Sequence, residues 1–148
     1  MLARGYMSPE YAMCGIFSEK SDVFSFGVML LEIISGKKNF SFHSNEQDLS
    51  LIAYTWQLWN ESRELDLVDD ALAKLYSAAE AIRCIHIGLL CVQDHSIDRP
   101  TILDVVSMLI KDTHRLQPNQ PFFTCQFQPQ TAPKCSCGEA TLSLFEGR

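Results

Sequence analysis

No stretch of this sequence stays apolar for the roughly 20 residues that a helix needs to cross a bilayer. The best candidate, Val23 to Ile34, is too short and carries Glu32. An apolar helix of that size belongs at the buried centre of a domain. Basic charge is scarce as well: 12 Lys and Arg stand against 18 Asp and Glu, for a net charge of −6. Nucleic acid is therefore excluded as the main partner, because a phosphate backbone calls for a basic footprint. The same argument disfavours docking on anionic lipid. No secretory signal opens the chain, since Met1 is followed closely by Arg4 and then by Gly, Pro and Glu. Glycine is thin, and the residues around Gly5 and Gly15 are too sparse to cradle a phosphate.

Cysteine, by contrast, is not scarce. Cys14, Cys84, Cys91, Cys125, Cys135 and Cys137 make an even set of six, which in a secreted protein reads as disulfides. Without a leader, and with Cys84 and Cys91 inside an apolar helical stretch, the expectation is reduced thiols in a cytosolic setting. A metal site built from Cys125, Cys135, Cys137 and His114 fits no common zinc spacing. No metal or cofactor is expected in this chain itself.

What the sequence holds is enough for one core. Its 148 residues are 47% hydrophobic, 10% aromatic and 20% charged, which suits a single packed domain and argues against wholesale disorder. Ser8, Pro9 and Glu10 supply the cap, proline and acid that open a short helix, and Gly15 stops it. Ser18 or Ser21 starts a second helix, apolar almost all round, which Gly36 ends with Lys37 and Lys38 beside it. The polar stretch from Lys37 to Leu49 reads as a loop. A helix follows from Leu49 to Leu58, with Trp56 and Trp59 nearby, and then an acidic stretch that Leu65, Leu67 and Val68 tack to the core. Ile82, Ile85, Leu89 and Val92 fall on one face of a helix from Glu80 to Val92. His86, inside it, reads as a helical histidine with a local hydrogen bond. After a turn from Asp94 to Pro100, Thr101 and Asp104 form a capping-box variant. Ile102, Val105, Val106 and Leu109 are expected as the buried stripe of the last helix. Helices follow one another without strands, so the fold class reads as mainly α. The packed part is expected over residues 1–111 and an extended or disordered tail, marked by Pro118, Pro121, Pro129 and Pro133, over 112–148.

Three segments, in this order, resemble the protein-kinase family. Ser8-Pro9-Glu10 is similar to the Ala-Pro-Glu motif that closes the activation segment. Ser21-Asp22-Val23-Phe24-Ser25-Phe26-Gly27 is similar to the Asp-x-Trp-x-x-Gly start of the family's central helix, with Phe24 in place of Trp. Asp98-Arg99-Pro100-Thr101 is similar to the Arg-Pro pair before the last helix. The longer runs, from Gly5 to Met13, from Ser18 to Val28, and through Leu30 to Asn39, look like plant receptor-like serine/threonine kinases. So does Ile87-Gly88-Leu89-Leu90-Cys91-Val92-Gln93. The ending, Ala140 to Arg148, is similar to the S-domain (G-type lectin) and cysteine-rich subfamilies. The resemblance implies a helical C-terminal lobe of the kinase fold. It also implies a buried ion pair between Glu10 and Arg99, in which loss of one partner strands the other. Asp22 would hold the backbone of the catalytic loop, with helix capping as its fallback. Gly5, Tyr6 and Met7 match the floor that holds the substrate peptide.

Phosphoryl transfer needs a phosphate cradle, a lysine on the phosphates, metal ligands and a catalytic aspartate. In kinases these come from a Gly-rich loop, Val-Ala-Ile-Lys, His-Arg-Asp and Asp-Phe-Gly, and none of these motifs occurs in the 148 residues. ATP and Mg thus belong to the parent family, whose members act from the cytoplasmic side of the plasma membrane. Where a family member carries Gly-Thr before Gly5, this chain has Ala3-Arg4. The resulting expectation is a truncated kinase domain, catalytically inactive as an isolated chain. The other reading is a non-catalytic binding module that competes with full-length receptor kinases for protein substrates or partners. The apolar central helix, short of part of its packed shell, predicts a marginal monomer or one that self-associates through exposed apolar surface.

Overall fold

The computed structural model describes residues 5–39, 50–72, 75–111 and 116–121. Five α-helices run through them: α1 is Pro9–Cys14, α2 Glu19–Ser35, α3 Leu51–Asn60, α4 Ala78–Cys91 and α5 Ile102–Ile110. Short 3-10 turns sit at Glu64–Leu67, Asp70–Leu72 and Ser96–Asp98, and there is no strand among the described residues. No described helix is long and apolar enough to cross a membrane. The mainly α reading is therefore correct, and the helices lie within a few residues of their sequence positions.

The ends of the helices follow from local chemistry. The backbone N–H of Ser18 donates to Ser21 Oγ at 3.3 Å, so both serines named from sequence serve the start of α2. Gly36 ends that helix at φ 66°, a left-handed conformation that side chains resist. At α5 the capping box closes as expected: Asp104 N–H donates to Thr101 Oγ at 3.2 Å, and Thr101 N–H to Asp104 Oδ2 at 3.0 Å. Ser8 occupies the N-cap of α1 with extended backbone, but its hydroxyl does not cap the helix.

The core is built around α2 and α4. Val28 and Leu31 of α2 meet Ile85 and Leu89 of α4, all four fully excluded from water. Leu51, Ile52 and Leu58 of α3 and Leu67 of the first 3-10 turn complete the layer. The two central helices approach closely at Gly27, where an added Cβ would lie 2.5 Å from Cys91 Cβ. A second cluster of Val23, Ile87, Cys91 and Val105 fastens α5 to this pair.

Three expectations change. On α5 only Val105 of the proposed stripe is buried; Ile102, Val106 and Leu109 are 53%, 46% and 37% exposed. The helix packs chiefly on α4 at the edge of the molecule, so most of its apolar circumference meets no described neighbour. His86 does not bond locally: its Nε2 lies 2.6 Å from the carbonyl of Leu116, thirty positions away. Contacts thus continue past Lys111, where the sequence reading ended the packed part, and residues 116–121 lie against α4. Finally, Cys84 and Cys91 are free thiols, and burial pushes the Cys91 thiol up to about 12, but Cys14 is disulfide-bonded. Cys14 is exposed at the end of α1, where no packed layer shields its sulfur as one shields Cys91. His114, Cys125, Cys135 and Cys137 lie outside the described residues.

Candidate functional site

Among the described residues, Arg99 makes the most side-chain hydrogen bonds. It follows the 3-10 turn Ser96–Asp98, is 2% exposed, and spends all five N–H donors on protein acceptors. Nη1 and Nη2 grip Glu10 Oε1 and Oε2, each at 2.7 Å, in a fork-on-fork pair. Nη1 also donates to the Lys20 carbonyl at 3.0 Å, Nη2 to the Asp94 carbonyl at 2.9 Å, and Nε to the Gln93 carbonyl at 2.7 Å. The Lys20 ammonium returns a hydrogen bond to the carbonyl of Arg99, and the Phe24 ring lies 5.1 Å from the guanidinium carbon. One side chain thus joins α1, the start of α2 and the end of α4. Burial alone would push the Glu10 carboxyl up, but the hydrogen bonds and charge of Arg99 outweigh it and hold the group at about 2. Ser21 Oγ adds a further donor to Glu10 at 3.2 Å.

The segment before α1 is pinned to α2. Tyr6 donates its hydroxyl to Glu32 Oε2 at 2.7 Å, and its carbonyl accepts from Ser25 Oγ at 2.5 Å. The Gly5 carbonyl accepts from Asn39 Nδ2 at 3.1 Å, while Asn39 N–H donates to Glu32 Oε1 at 2.9 Å. The bond to Glu32 raises the Tyr6 phenol above its ordinary range. Lys38 sits 3.8 Å from the same carboxylate. Tyr6, Met29, Glu32, Ile33, Gly36, Lys37 and Lys38 line a shallow cleft of about 550 Å³. Met29 and Ile33 are exposed there, while Tyr6 and Glu32 are half-buried and bonded to each other.

The residues named from sequence are placed as follows. Glu10 and Arg99 are in direct contact. Tyr6 lines the cleft, Gly5 is buried with its carbonyl bonded to Asn39, and Met7 is half-buried next to them in sequence. Asp22 is exposed on the first turn of α2, and the capping role falls to Ser18 and Ser21 instead. Sequence reasoning missed Ser25, Glu32 and Asn39. The signal for Glu32 was present: a lone acid in an otherwise apolar helix needs partners. Asn39 sits at the edge of a polar stretch, where composition gives no hint of burial.

A family model described as protein tyrosine and serine/threonine kinase matches residues 2–109. The chain belongs to that family. Among its relatives is a G-type lectin S-receptor-like serine/threonine-protein kinase of Arabidopsis thaliana, 56% identical over 97% of this chain and 17% of its own length. Another is the cysteine-rich receptor-like protein kinase 8 of the same plant, 52% identical over 87% of this chain and 19% of its own. The pseudokinase domain of BIR2, described as an immune regulator of the RLK/Pelle family, superposes with a TM-score of 0.63 at 27% identity. That match covers 72% of this chain and 32% of the other. The kinase chain therefore spans less than a fifth of the length of these curated relatives. Its receptor-like kinase character and helical-lobe fold agree with the sequence resemblance.

Proposed function

We propose that this chain is the substrate-side part of the C-terminal lobe of a receptor-like serine/threonine kinase, with Gly5, Tyr6 and Met7 forming the floor for a protein substrate. The observation that carries the reading is the pinning of Gly5 and Tyr6 to α2 through Asn39 and Glu32, directly before Ser8-Pro9-Glu10. In this reading the Glu10–Arg99 pair holds that floor on the helical lobe, and the exposed Asp22 carboxylate is the anchor point for a catalytic loop. The parent activity is ATP-dependent phosphorylation of serine and threonine, at the cytoplasmic face of the plasma membrane.

These residues do not fit MgATP. The sequence has no phosphate cradle, and among the described residues no three His, Cys, Asp or Glu side chains converge to hold a metal ion. The isolated chain engages protein substrates or receptor-kinase partners without transferring phosphate. The test is calorimetry of the purified chain with MgATP, run beside a kinase assay on a generic protein substrate. We expect neither heat of binding nor phosphate incorporation. Saturable binding with transfer overturns the proposal.

A further inference from the structure

Two buried side chains hold residues 116–121 on α4, and both grip backbone rather than side chains. Gln93, 3% exposed, accepts the Asn119 N–H on Oε1 at 3.1 Å and donates from Nε2 to the Asn119 carbonyl at 3.1 Å. Its second Nε2 hydrogen goes to the Leu89 carbonyl at 2.8 Å, which orients the amide from within the helix. His86, 6% exposed, reaches the Leu116 carbonyl through Nε2 at 2.6 Å. A carbonyl only accepts, so Nε2 carries the hydrogen. The imidazole stacks on Trp59 with ring centres 5.2 Å apart and planes 13° from parallel, which fixes its direction. Pro118 and Pro121 are buried, whereas Leu116, Gln117, Asn119 and Gln120 face water.

Buried prolines at a spacing of three, bonded backbone and unread residues between them are the chemistry by which Pro-x-x-Pro peptides are recognised. Paired N–H and C=O bonds to one residue carry no side-chain specificity, so another segment with the same two prolines satisfies the same seat. We propose that the surface formed by His86 of α4 and by Gln93, two residues past its end, is a docking site for extended Pro-x-x-Pro peptides, filled here by the chain's own residues 116–121. The tethered segment competes at an effective concentration on the order of millimolar, so an outside peptide gains access when the chain's own segment is weakened or when the peptide is in excess of that concentration. This inference is independent of the kinase reading.

The test uses the full chain carrying Pro118→Ser and Pro121→Ser, which leaves every residue of the seat in place. Binding of a fluorescein-labelled Leu-Gln-Pro-Asn-Gln-Pro peptide is read by fluorescence anisotropy. We expect saturable binding to this variant and binding at least about tenfold weaker to the unaltered chain, because the tethered segment competes. Adding Gln93→Ala to the double variant weakens binding about tenfold, the effect of losing two neutral hydrogen bonds. Absence of saturable binding to the double variant, or binding indifferent to Gln93, overturns the proposal. Since Gln93 is buried, amide exchange supplies a readout that needs no substitution. In the unaltered chain the Asn119 amide is slowed, and excess unlabelled peptide returns it to the free-peptide rate. An Asn119 amide that exchanges freely while those of Leu31 and Leu89 are protected, or one that the peptide leaves slowed, also overturns it.

Discussion

Glu10 and Arg99 carry the sharpest consequences of any two residues here. The arginine side chain is fully buried and the carboxylate only slightly accessible, so Glu10→Gln leaves a guanidinium without its counter-ion. We expect a loss of about 3–5 kcal/mol, the usual cost of breaking a buried pair, measured by urea denaturation followed by circular dichroism. The pH dependence has a definite sign. The folded carboxyl sits at about 2, below its ordinary value of 4.5, so its contribution is complete above roughly pH 4.5 and is lost as pH falls toward 2. Stability of the unaltered chain therefore drops across that window, and the Glu10→Gln variant drops less steeply. A variant with the same acid slope refutes the linkage. At this scale the pairing was legible because motif order named both residues. The other three hydrogen bonds of Arg99 were not, since they end on backbone carbonyls that leave no trace in side-chain identity.

The helices themselves were largely written in the sequence. Capping serines and threonine, the glycine stops and the apolar period located α1 to α5 because those signals are local. What failed was tertiary: α5 is so uniformly apolar that periodicity could not say which side faces the core, and Val105 alone does. The seat for residues 116–121 was invisible for the opposite reason, since a proline-rich composition reads as unpacked until its partners are known. Helix packing gives a graded prediction. Gly27→Ala drives a methyl 2.5 Å from Cys91 Cβ and 3.1 Å from the Gly88 carbonyl, where there is little room to yield. Gly88→Ala meets the branched end of Leu31 instead, at 2.6 Å from Cδ2. Overpacking costs about 1–3 kcal/mol against a helix-propensity gain of about 1 kcal/mol. Thermal melts should therefore show Gly27→Ala as clearly destabilised and Gly88→Ala as the milder of the two. The reverse order contradicts the packing described. Thr101→Ala, which opens the capping box of α5, is expected to cost about 0.5–2 kcal/mol by the same measurement.

For the whole molecule, surface apolarity sets the behaviour in solution. Leu103 and Ile110 are 75% and 71% exposed on α5, Phe17 is 69% exposed between α1 and α2, and Ile33 of α2 is 66% exposed. Such a surface favours association. Sedimentation velocity on a concentration series is expected to show self-association of the unaltered chain. Leu103→Glu with Ile110→Glu should reduce it without lowering the melting temperature, because neither side chain is buried. A monomer at all concentrations in the unaltered chain contradicts the expectation. The order of synthesis brings out a different property of the same fold. Glu10 and Arg99 are 89 positions apart, so the clasp between them closes a loop through most of the domain. On a ribosome α1, α2, α3 and α4 all leave the exit tunnel before Arg99 does, and they wait with the Glu10 carboxylate unmatched. Translation thus delivers α1 to α4 before the residue that clasps them together.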